Sequence, residues 1–260
     1  MPRMERRVAV VTGVSRRGGI GYAIASRLAG LGFDLLLTHF AAHDAEQPWG
    51  ADDVDAVLDG VRAQLLPGRR LAHLGADLAD ADAPASVFDL ANEQFGHVDA
   101  LVCNHARSGG DGTLLESTAA MLDAHWAVNA RASLLLARAL ASQHDGRPGG
   151  RIVFLTSGQQ LGPMPGEVCY AASKAALAGV TATLAHELAP RGITVNCVNP
   201  GPVDSESYVT DDLRHALADR FPFGRWGEPD DPARLIAWLV SDDGRWVTGQ
   251  VLNTEGGFVR

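Results

Sequence analysis

Apolar positions along the chain fall into short unbroken runs that alternate with longer, spaced ones. Residues 8–11, Val-Ala-Val-Val, contain no polar member, the pattern of a strand buried on both faces of a parallel sheet. The same pattern predicts strands at 34–38, 71–74, 100–103, 151–156, 193–198 and 250–253. Between them, helical spacing runs over 22–31, 54–65, 83–95, 116–143, 167–188 and 232–240. Pro67-Gly68 and Pro190-Arg191-Gly192 are stop signals. Residues 41–51, with Pro48 and Trp49, read as a polar loop, 107–112 as a flexible loop and 205–220 as an amphipathic insert. The alternation predicts an α/β fold: a single doubly wound parallel sheet with helices on both faces. One domain spans 1–260, with a small substrate-loop insert near 205–226.

In such sheets ligands bind outside the carboxyl ends of the strands. The first strand runs into Thr12-Gly13-Val14-Ser15-Arg16-Arg17-Gly18-Gly19-Ile20-Gly21 and then a helix. Strand, glycine-rich turn and helix N-terminus together suit a pyrophosphate. The turn is neither the G-x-G-x-x-G fingerprint nor a Walker A loop, and a plain glycine-rich turn would have the same composition. His39 follows the second strand, Asp77 and Leu78 the third, Asn104 the fourth, Ser157 the fifth and Gly201 the sixth. Asn129 lies midway along a predicted helix between apolar neighbours.

Tyr170 and Lys174 are four residues apart, one turn along a helix face. A free phenol titrates near pH 10, and an adjacent ammonium favours its phenolate, so the pair can move a proton to or from a substrate oxygen. Of 22 basic residues Lys174 is the only lysine. Alone the pair is equally an ordinary contact on an exposed helix end; the residues gathered at the strand ends are what favour chemistry.

Composition narrows the field. Hydrophobic residues make up 46% and charged ones 20% of the 260, as in a globular domain. A net charge of −9 argues against nucleic acid as the main partner. Cys103, Cys169 and Cys197 form no C-x-x-C and suit a reducing, cytoplasmic setting. The nine histidines show no metal spacing, so no metal is expected. The charged stretch 1–7 with its short apolar sequel is too short for a signal or membrane span, and no other stretch is read as long enough.

Taken together, the 12–21 turn, Asp77, Asn129, Ser157, Tyr170, Lys174, Asn199-Pro200-Gly201 and the ending from Thr248-Gly249-Gln250 to Gly256-Gly257 resemble the short-chain dehydrogenase/reductase family, in its branch of about 250 residues, with likeness to 3-oxoacyl carrier-protein reductases. The resemblance covers essentially the whole chain. It implies a Rossmann-type fold and hydride transfer between a nicotinamide and a carbonyl or alcohol carbon, with 3-oxoacyl thioesters as one substrate class. Carried over, Tyr170 is the general acid or base. Lys174 holds the nicotinamide ribose and depresses the Tyr170 pKa. Ser157 hydrogen-bonds the substrate oxygen, and Asn129 helps hold a relay water. Asp77 and Leu78 meet the adenine, and Val203 binds the carboxamide through its backbone. Gly13, Ser15, Gly19, Ile20, Gly21, Asn104 and Gly201 complete the cofactor contacts. A homotetramer is the family expectation. A non-catalytic cofactor-binding regulator and an enoyl reductase stand as alternatives; the first would have lost Tyr170 or Lys174, and the second commonly spaces them more widely.

The chain departs from the family pattern in three places. Its glycine turn is two residues longer, with Arg16 and Arg17 in the extension. Cys103-Asn104-His105-Ala106 replaces Asn-Asn-Ala-Gly, so that Ala106 can crowd the cofactor, and His105 is read as incidental ahead of the alternative that it touches substrate or cofactor. The pocket lining, Gln159, Leu161, Met164 and residues 205–223, is mixed and names no substrate. His39 and Phe40 stand where an NAD enzyme carries an acid for the ribose hydroxyls. Arg16 and Arg17 are placed near that ribose, where a guanidinium grips a phosphate. NADP is therefore expected over NAD, with Asp44 and Glu46 as acids the loop can fold back. Cys169, beside Tyr170, is read as a buried inert thiol or, less simply, as a site where alkylation slows the enzyme.

Overall fold

A computed structural model describes residues 6–206 and 208–260, so most of the charged stretch 1–7 lies outside the described residues. Seven parallel strands form one sheet: β1 (Val8–Val11), β2 (Asp34–His39), β3 (Leu71–Gly75), β4 (Ala100–Cys103), β5 (Gly150–Leu155), β6 (Ile193–Asn199) and β7 (Val251–Asn253). Their order is β3-β2-β1-β4-β5-β6-β7. The order reverses between β1 and β4, which opens the crevice that doubly wound sheets use for ligands.

The helices that matter for the site are α1 (Ile20–Gly30), α2 (Ala41–Ala45), α3 (Val54–Arg62), α4 (Ala83–Phe95), α5 (Ala119–His125), α6 (Ser133–Gln143), α7 (Val168–Leu188), α8 (Asp211–Leu217) and α9 (Asp230–Val240). Alternate strand residues feed two cores. Leu36, Leu101, Ile152 and Phe154 pack with Leu136, Leu140 and Leu177 on one face. Leu35, Leu37, Val102 and Val153 pack with Ile24, Leu28, Leu58, Ile236 and Leu239 on the other. That two-sided burial is why the strands read as unbroken apolar runs, and each such side chain contributes about 1.5–3 kcal/mol.

Three expectations are corrected. The loop predicted over 41–51 contains α2, because Asp44 is buried and holds the segment down through Ser15 Oγ at 2.5 Å and Trp49 Nε1 at 3.3 Å. The single helix predicted over 116–143 is three pieces. Glu116 folds back onto the N–H and hydroxyl of Thr113, and Thr118 caps the true start by accepting from Met121 N–H at 3.2 Å. Between α5 and α6, Trp126–Ala132 winds as a π-helix. Finally, among the described residues one stretch, Val168–Arg191, is long and apolar enough to cross a membrane, with a mean hydropathy of 1.3. It contains α7, which packs one side against β6 and the π-helix.

Candidate active site

The glycine turn leaves β1 and enters α1. Gly13 has φ +73, and a Cβ there would stand 2.8 Å from His105 Cα; one on Gly21 would stand 2.3 Å from Gly13 O. These two glycines therefore serve the packing of turn on turn. Ile20 opens α1 behind Gly19, which makes no side-chain cap, and the first turn holds no acid. The uncapped N–H groups suit an anion such as a pyrophosphate. Asn104 is a tie across this crevice: its amide donates to Thr12 O at 3.1 Å and Gly13 O at 2.9 Å.

The side chains expected around the adenosine are more committed than the sequence suggests. Ser15 is bonded to Asp44, so that acid does fold back onto the glycine turn. His39, at the end of β2, lies 3.2 Å from His73 across Nε2 and Nδ1. Its pKa is lowered by burial and by His73. Asp77 is exposed and accepts from Ala79 N–H at 2.8 Å, while Leu78 is buried in the core. Arg16 donates to Ser205 O at 2.9 Å and Glu206 O at 2.8 Å. Arg17 receives Asp52 on its N–H at 2.7 Å and lays its guanidinium against Gly60 of α3. Arg16 is thus engaged on the segment after β6, while the Arg17 guanidinium lies beside α3.

On the other side of the crevice, Ser157 follows β5 and Tyr170 sits in the first turn of α7. The Ser157 hydroxyl donates to Met164 Sδ at 3.9 Å and acts on the Tyr170 phenol, tending to lower its pKa. Lys174, one turn on, is 2% exposed, not at an exposed helix end. Its Nζ lies 5.7 Å from the Tyr170 ring centroid and donates to Leu155 O at 2.9 Å. Burial lowers its pKa to about 8. The Tyr170 pKa is raised, first by burial and then by Glu167, with Ser157 opposing; the expected depression by Lys174 is not seen. Gly201 has φ +72 and packs on Glu255, and Val203 is buried. Cys169 is buried with a raised thiol pKa, so its inert reading fits.

Asn129 is wholly buried within the π-helix. Its Oδ1 accepts from Arg107 N–H at 2.7 Å, and its Nδ2 donates to Arg107 O at 3.2 Å and Ser173 Oγ at 2.9 Å. Its own carbonyl accepts from Ser133 Oγ at 2.8 Å. The side chain ties the loop after β4 to α7 and has no donor to spare for a water. His105 is no incidental substitution. Its Nε2 donates to Val128 O at 3.0 Å, which leaves Nδ1 to accept the Thr12 hydroxyl at 2.6 Å. Burial then drops its pKa to about 3.

One residue escaped the sequence reading. Asp111 accepts from Cys169 N–H at 2.9 Å and Tyr170 N–H at 2.7 Å, capping α7 at the residue of interest. Burial pushes its pKa up, but the N–H bonds outweigh it and hold it below the ordinary range. His125, fully buried on α5, stands 4.0 Å behind it.

A phenol, a hydroxyl and an ammonium at the carboxyl end of β5, facing an uncapped helix N-terminus across a doubly wound sheet, define an NAD(P)-dependent oxidoreductase. Comparison with known proteins agrees. The family model described as enoyl-(acyl carrier protein) reductase matches residues 13–259. The chain is 41% identical over 263 residues to the uncharacterized oxidoreductase YjdA of Bacillus subtilis (strain 168), covering 100% of both. It is 35% identical to an Arabidopsis thaliana NADPH-dependent aldehyde reductase-like chloroplastic protein, over 97% of this chain and 94% of that one. A Burkholderia cenocepacia J2315 short chain dehydrogenase, solved in complex with NADP, superposes with a TM-score of 0.82 at 38% identity over 97% of each chain. The chain belongs to the short-chain dehydrogenase/reductase family.

Proposed function

We propose that this protein reduces ketones or aldehydes with NADPH. The observation that carries the reading is the meeting of Ser157, Tyr170 and Lys174 beside the open N-terminus of α1. Ser157 hydrogen-bonds the carbonyl oxygen and Tyr170 gives it a proton. A bound nicotinamide supplies the hydride for the carbonyl carbon. The raised pKa keeps the phenol protonated at neutral pH, which favours reduction over alcohol oxidation. Two protons of the Lys174 ammonium remain beyond its bond to Leu155 O, available to ribose hydroxyls. Asn129 acts as a positioning residue through Arg107 and Ser173. The preference for NADP is supported by the lack of an acid at the end of β2 and by the cofactors of the relatives.

A second reading, reduction of enoyl thioesters, is favoured by the description of the matching family model. NADPH absorbance against a panel of ketones, aldehydes, a 3-oxoacyl thioester and an enoyl thioester separates the two. We expect carbonyl-dependent oxidation that disappears in Tyr170→Phe while NADPH still binds. Turnover on the enoyl substrate alone, or an active Phe variant, would overturn the proposal.

A further inference from the structure

β1 and β6 are separated in the sheet by β4 and β5, a gap of about 14 Å at roughly 4.8 Å per strand. Yet Arg16, in the turn after β1, holds two carbonyls of the segment after β6, Ser205 O at 2.9 Å and Glu206 O at 2.8 Å. These bonds therefore bridge the two sides of the crevice at the carboxyl ends of β4 and β5. Other contacts lock it there. The Arg16 guanidinium stands 5.6 Å over the Trp49 ring. Glu206 has φ 56, an unfavourable conformation for a side-chain-bearing residue, and its carboxylate reaches Gly18, where a Cβ would stand only 2.8 Å away. The Arg16 Nε is buried without a partner, and no salt bridge neutralises this guanidinium among the described residues.

We infer that Arg16 is a positioning residue that straps residues 204–206 across the dinucleotide groove, holding either nicotinamide cofactor in place rather than reading the 2′-phosphate. The inference rests on the cofactor reading proposed above. Two features give it force. The two-residue extension of the turn supplies the reach, and both bonds leave one nitrogen, Nη2, for main-chain carbonyls, so the grip depends on where the long arginine side chain places that nitrogen. A dinucleotide laid along the strand ends lies beneath this strap and leaves only when it opens. Loss of the strap then acts on dissociation, whereas loss of charge attraction alone acts on association and varies with salt.

The test is stopped-flow release of NADPH and NADH, followed by nicotinamide fluorescence, in the parent, Arg16→Ala and Arg16→Lys. Two lost hydrogen bonds should raise both off-rates by about tenfold in the Ala variant. The ratio of NADPH to NADH affinity should stay at the parent value. Lys keeps the charge and the donors but on a shorter stem that does not carry its Nζ to the place of Nη2, so its off-rates should also exceed the parent's. Weakening confined to NADPH would show that Arg16 reads the phosphate. Unchanged off-rates in Ala, or full restoration by Lys, would remove the strap while leaving the cofactor reading intact. A parent that binds neither cofactor would remove both.

Discussion

Lys174 is a charge held almost out of water, its Nζ bonded to the Leu155 carbonyl. Burial of an ammonium costs free energy, and here it lowers the pKa from 10.5 to about 8. Between those values the unfolded chain binds the extra proton, so this residue's contribution to stability is least favourable below pH 8 and improves as pH rises toward 10.5. Lys174→Met keeps the volume and removes the charge. We expect a melting temperature at neutral pH no lower than the parent's, with turnover falling about 10²- to 10⁴-fold. Calorimetry and NADPH-linked assay check the two halves; a variant that melts lower and turns over normally would contradict both. Ala is the poorer substitution, because the site is buried and would leave a cavity.

At the scale of elements, Asp111 decides where α7 begins. Its carboxylate satisfies two of the four N–H groups that a helix start leaves open, one of them on Tyr170. Asp111→Asn should cost about 1–2 kcal/mol in urea unfolding and should lower kcat more than it raises KM, since Tyr170 moves with its turn. Because its folded pKa is depressed, this stabilisation is present above the unfolded value and is lost as pH falls through the folded one. The variant should therefore lose the parent's acid dependence over that window. Nothing local in the sequence marks Asp111, because its partners come 58 and 59 residues later. The elements that were legible owe it to periodicity: α4 and β4 begin and end where the apolar pattern does. The π-helix was illegible for the converse reason. Its widened turn leaves apolar spacing looking helical across 116–143, and His105, which holds the Val128 carbonyl, lies far away in sequence. Likewise Ser157, Tyr170 and Lys174 could be named from spacing, but the burial of Lys174 and the engagement of Arg16 depend on neighbours that only folding supplies.

For the molecule as a whole, His105 sets an acid limit. It is neutral in the fold down to about pH 3, while the unfolded chain takes up a proton near 6.5. The unfolded state thus binds more protons between these values, and stability falls as pH is lowered through them, at up to about 1.4 kcal/mol per pH unit from this group. Urea midpoints between pH 7 and 4 should show the slope, and His105→Asn should flatten it; an equal slope in the variant would assign the effect elsewhere. Association is the other property at this scale. Leu122 and Trp126, at 43% and 48% exposure, place apolar surface along α5 and the π-helix. They support the proposal of a homotetramer, for which light scattering at micromolar concentration should report four chains.

All seven strands point the same way, so everything chemical lies at one pole. The opposite pole carries the turns that feed β3, β4 and β5, where the space beside Gly68, Gly96, Gly146 and Gly149 is open; each of these glycines holds a positive φ, so a side chain belongs on their neighbours. For anyone fixing this catalyst to a bead or an electrode, those turns are the natural anchor points: a linker grafted there presents the working end outward, away from the support.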